Sequence, residues 1–398
     1  MRKLSADYIF PINTPPLKNG VVTIDEEGTV LELSSTGKDH ADTEVFEGII
    51  CPGFINTHCH LELSHMRNQL QQGTGMASFI RGILSKRSFA SSNQINQAIV
   101  DAEMEMLRNG IVAIADISNT NDTFSQKKLG NLYYHTFVEV FNPNPSKALE
   151  MFENGLALEK EIKKSNQSKS TVSIVPHAPY TMSEGLLKLI NEHALKNKSS
   201  ISIHNQESKG EDELFISLSG PLIDLFKELG FDTGFFRQTG VNALYSTLPH
   251  LTQASKILLV HNTFTSKEDI IWTEKLLKNS DCKTEIYWCT CPNANLYIEN
   301  KLPDYANFID TNSKVTIGTD SLASNWSLSV LDELKTIAKH YPSVSLHTLL
   351  TWATKNGADF LDLQKLGTIE QGKKPGLNLL KNIEGLKISD NTSVTKLI

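Results

Sequence analysis

Two histidines separated by one residue end an apolar run near the start of the chain. His58 and His60 follow the segment 48–57, which is mostly apolar. In a β-strand, alternate residues project from the same face, so their Cα atoms would lie about 6.6 Å apart. Two imidazoles at that spacing can bind one metal ion such as zinc. The pair alone leaves a second interpretation open, namely two hydrogen-bonded polar side chains at a strand end.

Four other apolar runs are followed directly by a residue that can bind metal or move protons. These residues are His177, His204, His261 and Asp320. In a parallel barrel, the carboxyl ends of the strands meet at one face, and the active site lies there. The sequence therefore predicts that these residues share one site with the first pair.

The residue types at the strand ends divide by chemistry. Neutral imidazole and carboxylate suit zinc or a similar divalent ion, and a catalytic site leaves one position open for water. We therefore predict one divalent metal ion, zinc in first place, with iron or manganese as alternatives. The predicted ligands are His58, His60, His204 and Asp320.

Three residues are predicted to act on protons. Glu207 lies three residues after His204, at the mouth of the barrel, and is the predicted general acid and base. His261 is expected to orient the attacking water, and Asp320 to accept a proton from it. The alternatives are an exposed loop carboxylate for Glu207 and a buried structural imidazole for His261.

Four residues are candidate substrate contacts, namely His177, Glu62, Ser321 and Asn325. Glu62 could equally pair with a nearby cation. Ser321 and Asn325 could equally cap the connection after the last strand, where such residues are common on local grounds.

Eight apolar, strand-like runs must position these residues. They are the runs 49–60, 111–118, 132–141, 171–180, 200–205, 256–263, 284–291 and 314–320. Helix-like segments lie between them, for example 93–108, where apolar residues recur at spacings of three and four. Eight such units favour an α/β fold with a (β/α)8, TIM-like barrel over an open doubly wound sheet.

The two ends of the chain carry short strand-like pieces separated by turn residues. They predict one small β domain built from residues 1–50 and 366–398, with the barrel formed by residues 51–365. Residues 208–251 are too many for a simple connection and contain a helix pattern at 221–229. We predict an inserted lid or substrate segment there.

Composition narrows the function classes of this 398-residue chain. Its net charge is −7, and it contains no long basic tract, which argues against a nucleic-acid partner. It has no apolar stretch of about 18 residues, so no membrane span is expected. Asp7 interrupts the start before a signal-peptide core, and the five cysteines lack framework spacing, so we expect a cytoplasmic protein. The expected partner is a small-molecule substrate. A homodimer is compatible with the sequence, which leaves the oligomeric state open.

The strand-end segments resemble the amidohydrolase superfamily, in particular its mononuclear deaminase and chlorohydrolase branch. The matching segments are 52–60, 177–181, 204–207, 318–321, 351–358 and 366–376. The resemblance implies one metal bound by the first-strand histidines, the strand-five histidine and the strand-eight aspartate. It also implies a proton-shuttling Glu207 and an assisting His261. Two-metal members often place a lysine at the end of strand four, and none stands there in this chain, which favours a single ion.

Within that branch, segments 60–64 and 318–325 are similar to the aminodeoxyfutalosine deaminases, which remove the 6-amino group of an adenine-bearing nucleoside. The resemblance implies a hydrolase that deaminates an amino-substituted heterocycle. The alternatives are hydrolysis of a C–Cl bond or a cyclic amide at the same metal, and a non-catalytic binding protein of this fold. The segment 291–295 departs from the family pattern, which more often has serine before the asparagine.

Overall fold

The computed structural model describes residues 1–35, 42–164, 170–280 and 283–398. Fifteen strands lie within these ranges. They are β1 (Arg2–Ile9), β2 (Leu17–Lys18), β3 (Val21–Ile24), β4 (Val30–Ser34), β5 (Thr43–Pro52), β6 (Phe54–Cys59), β7 (Ile111–Ser118), β8 (Tyr133–Val140), β9 (Ser170–Pro176), β10 (Ile201–Asn205), β11 (Lys256–His261), β12 (Glu285–Thr290), β13 (Val315–Ile317), β14 (Leu377–Lys381) and β15 (Ser393–Lys396).

Fourteen α-helices lie in the same described ranges. They are α1 (Met76–Lys86), α2 (Ser92–Arg108), α3 (Phe124–Lys127), α4 (Ala148–Lys164), α5 (Glu184–Asn197), α6 (Lys209–Ser217), α7 (Pro221–Glu228), α8 (Ala243–Thr247), α9 (Lys267–Lys278), α10 (Pro292–Glu299), α11 (Tyr305–Asp310), α12 (Val330–His340), α13 (Leu346–Ala353) and α14 (Lys355–Phe360). Short 3₁₀ turns cover Leu61–Met66, Arg87–Phe89, Pro145–Lys147, Pro179–Thr181 and Leu248–His250. Among the described helices, none is long and apolar enough to cross a membrane.

The predicted helix at 93–108 is confirmed as α2. It begins with a capping box, in which the Ser91 side chain accepts from the backbone of Gln94 and the Gln94 side chain accepts from the backbone of Ser91. Both bonds satisfy amides that the first helical turn would otherwise leave unpaired.

Two four-stranded parallel sheets form the centre of the fold, in the orders β6–β7–β8–β9 and β10–β11–β12–β13. Their edges meet on both sides, because Cys59 forms a bridge with Asp320 and the His204 amide donates to the His177 carbonyl at 2.9 Å. The carboxyl ends of both sheets therefore point to one face. The predicted α/β fold with parallel strands is confirmed, whereas the hydrogen-bonded ladder of the described residues is divided into two sheets.

The central strands are buried on both faces. Every residue of β6 and of β11 is buried. The apolar side chains of these strands belong to two buried clusters. One includes Ile55, Val175 and Leu258, and the larger one joins strand residues to residues of the surrounding helices, such as Met106 and Leu334. Burial on both faces explains the continuous apolar runs in the sequence.

The prediction of one strand over 49–60 is wrong, because Gly53 separates β5 from β6. A Cβ atom at Gly53 would lie 2.3 Å from Val112 Cγ1 and 2.9 Å from the Pro375 carbonyl oxygen. The chain can therefore pass between these groups only as glycine. The break lets β5 join a different sheet, while β6 enters the central one.

Both ends of the chain contribute to that different sheet. Its strand order is β15–β14–β5–β1–β3–β4, with β2 paired to β1. Residues 386–388 form no strand, and only an isolated bridge between Glu384 and Lys387 lies there. The division of the chain into a small β domain and a barrel remains a prediction.

The segment 208–251 contains α6, α7 and α8, so the helix predicted at 221–229 is confirmed as α7. Its apolar side chains pack with the turn after β9. Phe226 stacks on Phe236 with ring centroids 5.2 Å apart and lies 6.5 Å from the Tyr180 ring. A role of this segment as a lid remains a prediction.

Candidate metal centre and active site

His58 and His60 converge at the carboxyl end of β6. Their Nε2 atoms lie 3.1 Å apart. Asp320 Oδ1 is 3.5 Å from His58 Nε2 and 3.3 Å from His60 Nε2. Cys59 alternates away from them, and all three side chains are buried. The period-two spacing of a strand thus brings the two imidazoles to one point, as the sequence predicts.

His261, the last residue of β11, and Asp320, which follows β13, both have a left-handed backbone conformation. Their φ angles are +73° and +54°. This conformation is unfavourable for residues other than glycine, and it is found at functional sites where the surrounding structure imposes it. The Asp320 amide donates to the His58 carbonyl at 3.0 Å, and its Oδ2 accepts from Ser324 Oγ at 2.5 Å. These bonds fix the carboxylate beside the histidine pair.

Four side chains could hold one metal ion, since their ligand atoms all lie within 4.8 Å of one another. They are His58, His204, His261 and Asp320. His60 borders this set through its contacts with His58 and Asp320. The structure therefore brings together all four predicted ligands, and it adds His261, which the sequence predicts as a catalytic helper.

The donor set fits a divalent ion. The His204 Nδ1 atom pairs with the His177 carbonyl at 2.7 Å, which leaves its Nε2 as the free donor atom. His261 Nε2 is buried and finds no hydrogen-bond partner among the described residues. Neutral imidazoles with one carboxylate are the donors that zinc prefers. The geometry thus supports a metal centre.

Burial keeps these histidines neutral. It lowers the pKa of His60 to about 3 and that of His261 to about 4, and it holds the pKa of His204 well below its usual value. Burial alone would raise the pKa of Asp320, but the hydrogen bond with His58 and the neighbouring imidazoles hold that pKa well below its usual value. Neutral His60, His204 and His261, with an ionised Asp320, are in the protonation states that bind metal.

Glu207 lies at the edge of this cluster, and its pKa is shifted in the opposite direction to that of Asp320. Its Oε1 is 3.4 Å from His261 Nε2. Burial, followed by the charges of Asp320 and Glu211, raises the pKa of Glu207 well above its usual value. Two neighbouring carboxyl groups whose pKa values are moved in opposite directions can serve as acid and base. Glu207 therefore favours its protonated form more strongly than Asp320 does.

Asn295 on α10 orients His261, and the sequence did not indicate this role. Its Oδ1 lies 2.9 Å from His261 Nδ1. An amide oxygen can only accept, so Nδ1 carries the proton and Nε2 presents its lone pair to the cluster. The position of Asn295 on a helix directly after β12 is the signal that could have identified it.

His177 lies on the rim of the same face. Its ring centroid is 4.7 Å from that of His204 and 5.6 Å from that of Phe141, and its Nδ1 pairs with Thr181 Oγ1 at 2.9 Å. The side chain is partly buried, as expected of a group beside a substrate space. Its contact with substrate remains a prediction.

Glu139 is a second residue that the sequence did not single out. It lies near the end of β8, its Oε1 has no hydrogen-bond partner among the residues the structure describes, and that atom is 3.8 Å from His204 Nδ1. Burial raises the pKa of Glu139 to about 7. With His177 and His204 it forms a second cluster of ligand atoms within 4.8 Å. Reading β8 for polar residues at its carboxyl end would have identified it.

The carboxylate of Glu62 is fully engaged away from the cluster. Arg87 Nη2 donates to its Oε1 at 2.7 Å, and the amides of Asn119 and Thr120 donate to its Oε2 at 3.0 and 3.1 Å. The structure thus favours the alternative that the sequence left open, a buried carboxylate paired with a cation.

Ser321 and Asn325 make local hydrogen bonds after β13. Ser321 Oγ pairs with Ser324 Oγ at 2.9 Å. Asn325 Nδ2 donates to the Thr319 carbonyl at 2.7 Å and to Glu333 Oε1 at 2.6 Å. These bonds favour the capping role over a substrate contact for both residues.

Comparisons with known proteins agree with this geometry. An adenosine deaminase of Helicobacter pylori is 27% identical over 348 residues, which cover 85% of this chain and 81% of that protein. The crystal structure of H. pylori aminofutalosine deaminase in complex with methylthio-coformycin matches with a TM-score of 0.83 and 24% identity, covering 98% of this chain and 94% of that one.

A zinc complex of the atrazine chlorohydrolase TrzN from Arthrobacter aurescens also shares the fold. Its TM-score is 0.73 at 18% identity, with 99% of this chain and 92% of that chain covered. The model of the amidohydrolase family matches residues 49–397. Since this match spans both central sheets and every residue of the metal centre, the chain belongs to the amidohydrolase family.

Proposed function

We propose that the chain is a metal-dependent hydrolytic deaminase that acts on an adenine-bearing nucleoside and releases ammonia. The observation that carries this proposal is the position of the Glu207 carboxyl group beside the candidate metal ligands, with its Oε1 3.4 Å from His261 Nε2 and its pKa raised by burial. The relatives named adenosine deaminase and aminofutalosine deaminase support the choice of substrate class.

The proposed cofactor is one zinc ion, with iron or manganese as alternatives in the same donor set. The proposed ligands are His58, His60, His204 and Asp320, all buried. The zinc-bound relative of the same fold supports this choice. When bound, such an ion lowers the pKa of a coordinated water towards neutrality.

The protein side chains supply the proton transfers. Glu207 donates its proton to a ring nitrogen of the substrate, which makes the carbon bearing the amine electrophilic. Asp320 accepts a proton from the attacking water, and His261 orients that water. A C–O bond forms and the C–N bond breaks. The amine takes the proton that Asp320 accepted from water and leaves as ammonia, and the new hydroxyl group returns a proton to Glu207 as it becomes the carbonyl.

The remaining parts of the chain have proposed supporting roles. The two central sheets act together as a (β/α)8 barrel, and residues 1–50 with 366–398 form a small β domain. The segment 208–251 closes over the substrate, and His177 contacts it from the rim. The aromatic packing between this segment and Tyr180 supports the closure.

An ammonia-release assay tests the proposal. Purified, zinc-loaded protein is incubated with adenosine, 5′-deoxyadenosine, aminofutalosine and atrazine, with Glu207→Gln as the control. We expect ammonia from at least one adenine nucleoside, and release that is about 10²-fold to 10⁴-fold slower from the control. Chloride from atrazine without ammonia from any nucleoside would replace deamination by C–Cl hydrolysis. Absence of turnover on all four would refute the deaminase proposal.

A further inference from the structure

The buried carboxylate of Glu211 has no place in the mechanism above. It lies on α6, four residues after Glu207, and is 0% exposed. We infer that Glu211 is a positioning residue that holds the backbone of Glu207, and thereby its carboxyl group, in reach of the metal centre. This inference rests on the proposed role of Glu207 as acid and base.

Two hydrogen bonds join Glu211 to the chain that leaves β10. Its Oε1 accepts from the Gln206 amide at 2.8 Å, and its Oε2 accepts from the Glu207 amide at 3.3 Å. Both oxygens of one buried carboxylate therefore bind consecutive amides. This arrangement fixes the orientation of the peptide unit that carries Glu207.

The local helix geometry argues that these bonds do more than cap α6. In a capping box, the third helical residue bonds the amide of the N-cap residue. The N-cap of α6 is Ser208, whose side chain makes no capping bond. Its Oγ is also buried without a partner among the described residues. Glu211 reaches past that residue to Gln206 and Glu207.

The turn that Glu211 holds is conformationally strained. Gln206 has a φ of +43°, in the left-handed region. Its side chain is held as well, since Thr265 Oγ1 donates to its Oε1 at 2.7 Å and its Nε2 donates to Asp269 Oδ2 at 3.2 Å. Such a conformation persists only where the surroundings impose it. Removing the Glu211 bonds should let the turn relax and move Glu207.

Three variants test the inference. Glu211→Ala removes both bonds, Glu211→Gln keeps one accepting oxygen, and Glu213→Gln is the control, an exposed carboxylate on the same helix. We expect Glu211→Ala to lower kcat by about 10²-fold, the effect of misplacing a catalytic group by about 1 Å. We expect Glu211→Gln to lower kcat less, with KM, bound zinc and the Glu213→Gln activity unchanged.

A double variant separates positioning from general destabilisation. If Glu211 acts through Glu207, adding Glu211→Ala to Glu207→Gln should cause no further loss of kcat. Equal losses in both backgrounds would overturn the inference, as would an unchanged kcat in Glu211→Ala. Should that variant fail to fold, the same comparison with Glu211→Gln decides.

A measurement independent of turnover keeps this inference distinct from the proposed function. Hydrogen exchange of the peptide containing residues 206–207 should be faster in Glu211→Ala and unchanged in Glu213→Gln. Unaltered exchange would overturn the positioning role. Faster exchange in a protein that deaminates no nucleoside would uphold the role and reject the proposed function.

Discussion

Asn295 determines which nitrogen of His261 faces the metal centre. Replacing it by alanine removes the acceptor of the His261 Nδ1 proton, at 2.9 Å in the structure. We expect kcat to fall by roughly 10-fold to 100-fold, as for other residues that orient a metal-site histidine. Asn295→Asp keeps an accepting oxygen and should restore part of the activity. Equal activity of Asn295→Ala and the parent protein would contradict this account.

Glu207 is predicted to move protons without binding the metal. Glu207→Gln keeps the shape of the side chain but cannot exchange a proton at neutral pH. We expect kcat to fall by about 10²-fold to 10⁴-fold, the usual contribution of general acid–base catalysis. Zinc content, measured by elemental analysis, should equal that of the parent protein. Loss of zinc in the variant would instead make Glu207 a ligand.

At the residue scale, the sequence predicts the groups that end apolar runs and misses those that support them. His58 and His204 lie at the carboxyl ends of buried strands and Asp320 follows one, so their convergence can be predicted. Asn295 and Glu211 act through hydrogen bonds whose geometry depends on the direction in which each helix continues from the preceding strand. Such contacts depend on three-dimensional packing, which the spacing of the apolar runs does not specify.

Gly318 sets how closely β13 approaches the metal centre. A Cβ atom there would lie 2.8 Å from His58 Cβ and equally close to the Sγ atoms of Cys289 and Cys291. We expect Gly318→Ala to lower the free energy of unfolding by about 1–3 kcal/mol, as overpacking does, and to weaken zinc binding by displacing His58. Urea denaturation and zinc titration measure these effects.

Gly185→Ala is the matched control for that substitution. Gly185 lies on α5, where an added Cβ would be 3.5 Å from Ala148 Cβ, an ordinary contact. We expect unchanged zinc affinity and no loss of stability, because alanine favours the helix more than glycine does. Tight zinc binding by Gly318→Ala would contradict the close packing at β13.

His135 on β8 makes the free energy of unfolding depend on pH. Burial, and then the charge of Lys127, lowers its pKa in the folded protein to about 3. The unfolded chain takes up a proton at this side chain below about pH 6.5, whereas the folded protein does not. Unfolding is therefore favoured as the pH falls from about 6.5 to 3, by up to about 1.4 kcal/mol per pH unit.

His135→Gln should remove this dependence. His135 pairs with Thr171 and Ser173, and glutamine can bond such hydroxyl groups without titrating. We expect the stability difference between parent and variant to shift in favour of the variant between pH 6.5 and pH 5, measured by urea denaturation. A constant difference over that range would contradict a neutral, buried His135.

At the element scale, patterns predict strands well where burial alone defines them. The run 111–118 corresponds to β7 without a shift. The run 49–60 predicts one strand, whereas the structure has two. The end of β5 and the start of β6 are both apolar, and only Gly53 separates them. That separation depends on the approach of Val112 and Pro375, which lie elsewhere in the sequence.

At the scale of the whole molecule, strand pairing connects both ends of the chain to the metal centre. Strand β5 pairs with β14 from the far end and with β1 from the near end, and after Gly53 the chain enters β6 and reaches His58. Strand-like pieces at both ends predict such a shared sheet. The way in which the two central sheets meet depends on the contacts at Asp320 and His204, which the sequence does not reveal.

The central claim is that one metal ion, held at the strand ends of both central sheets, drives hydrolytic deamination. Titrating metal-free protein with zinc while following ammonia release from an adenine nucleoside tests it most directly. The account predicts no activity without metal and a linear rise that levels off at one zinc ion per chain. Full activity without metal, or a rise that continues to two ions per chain, would contradict it.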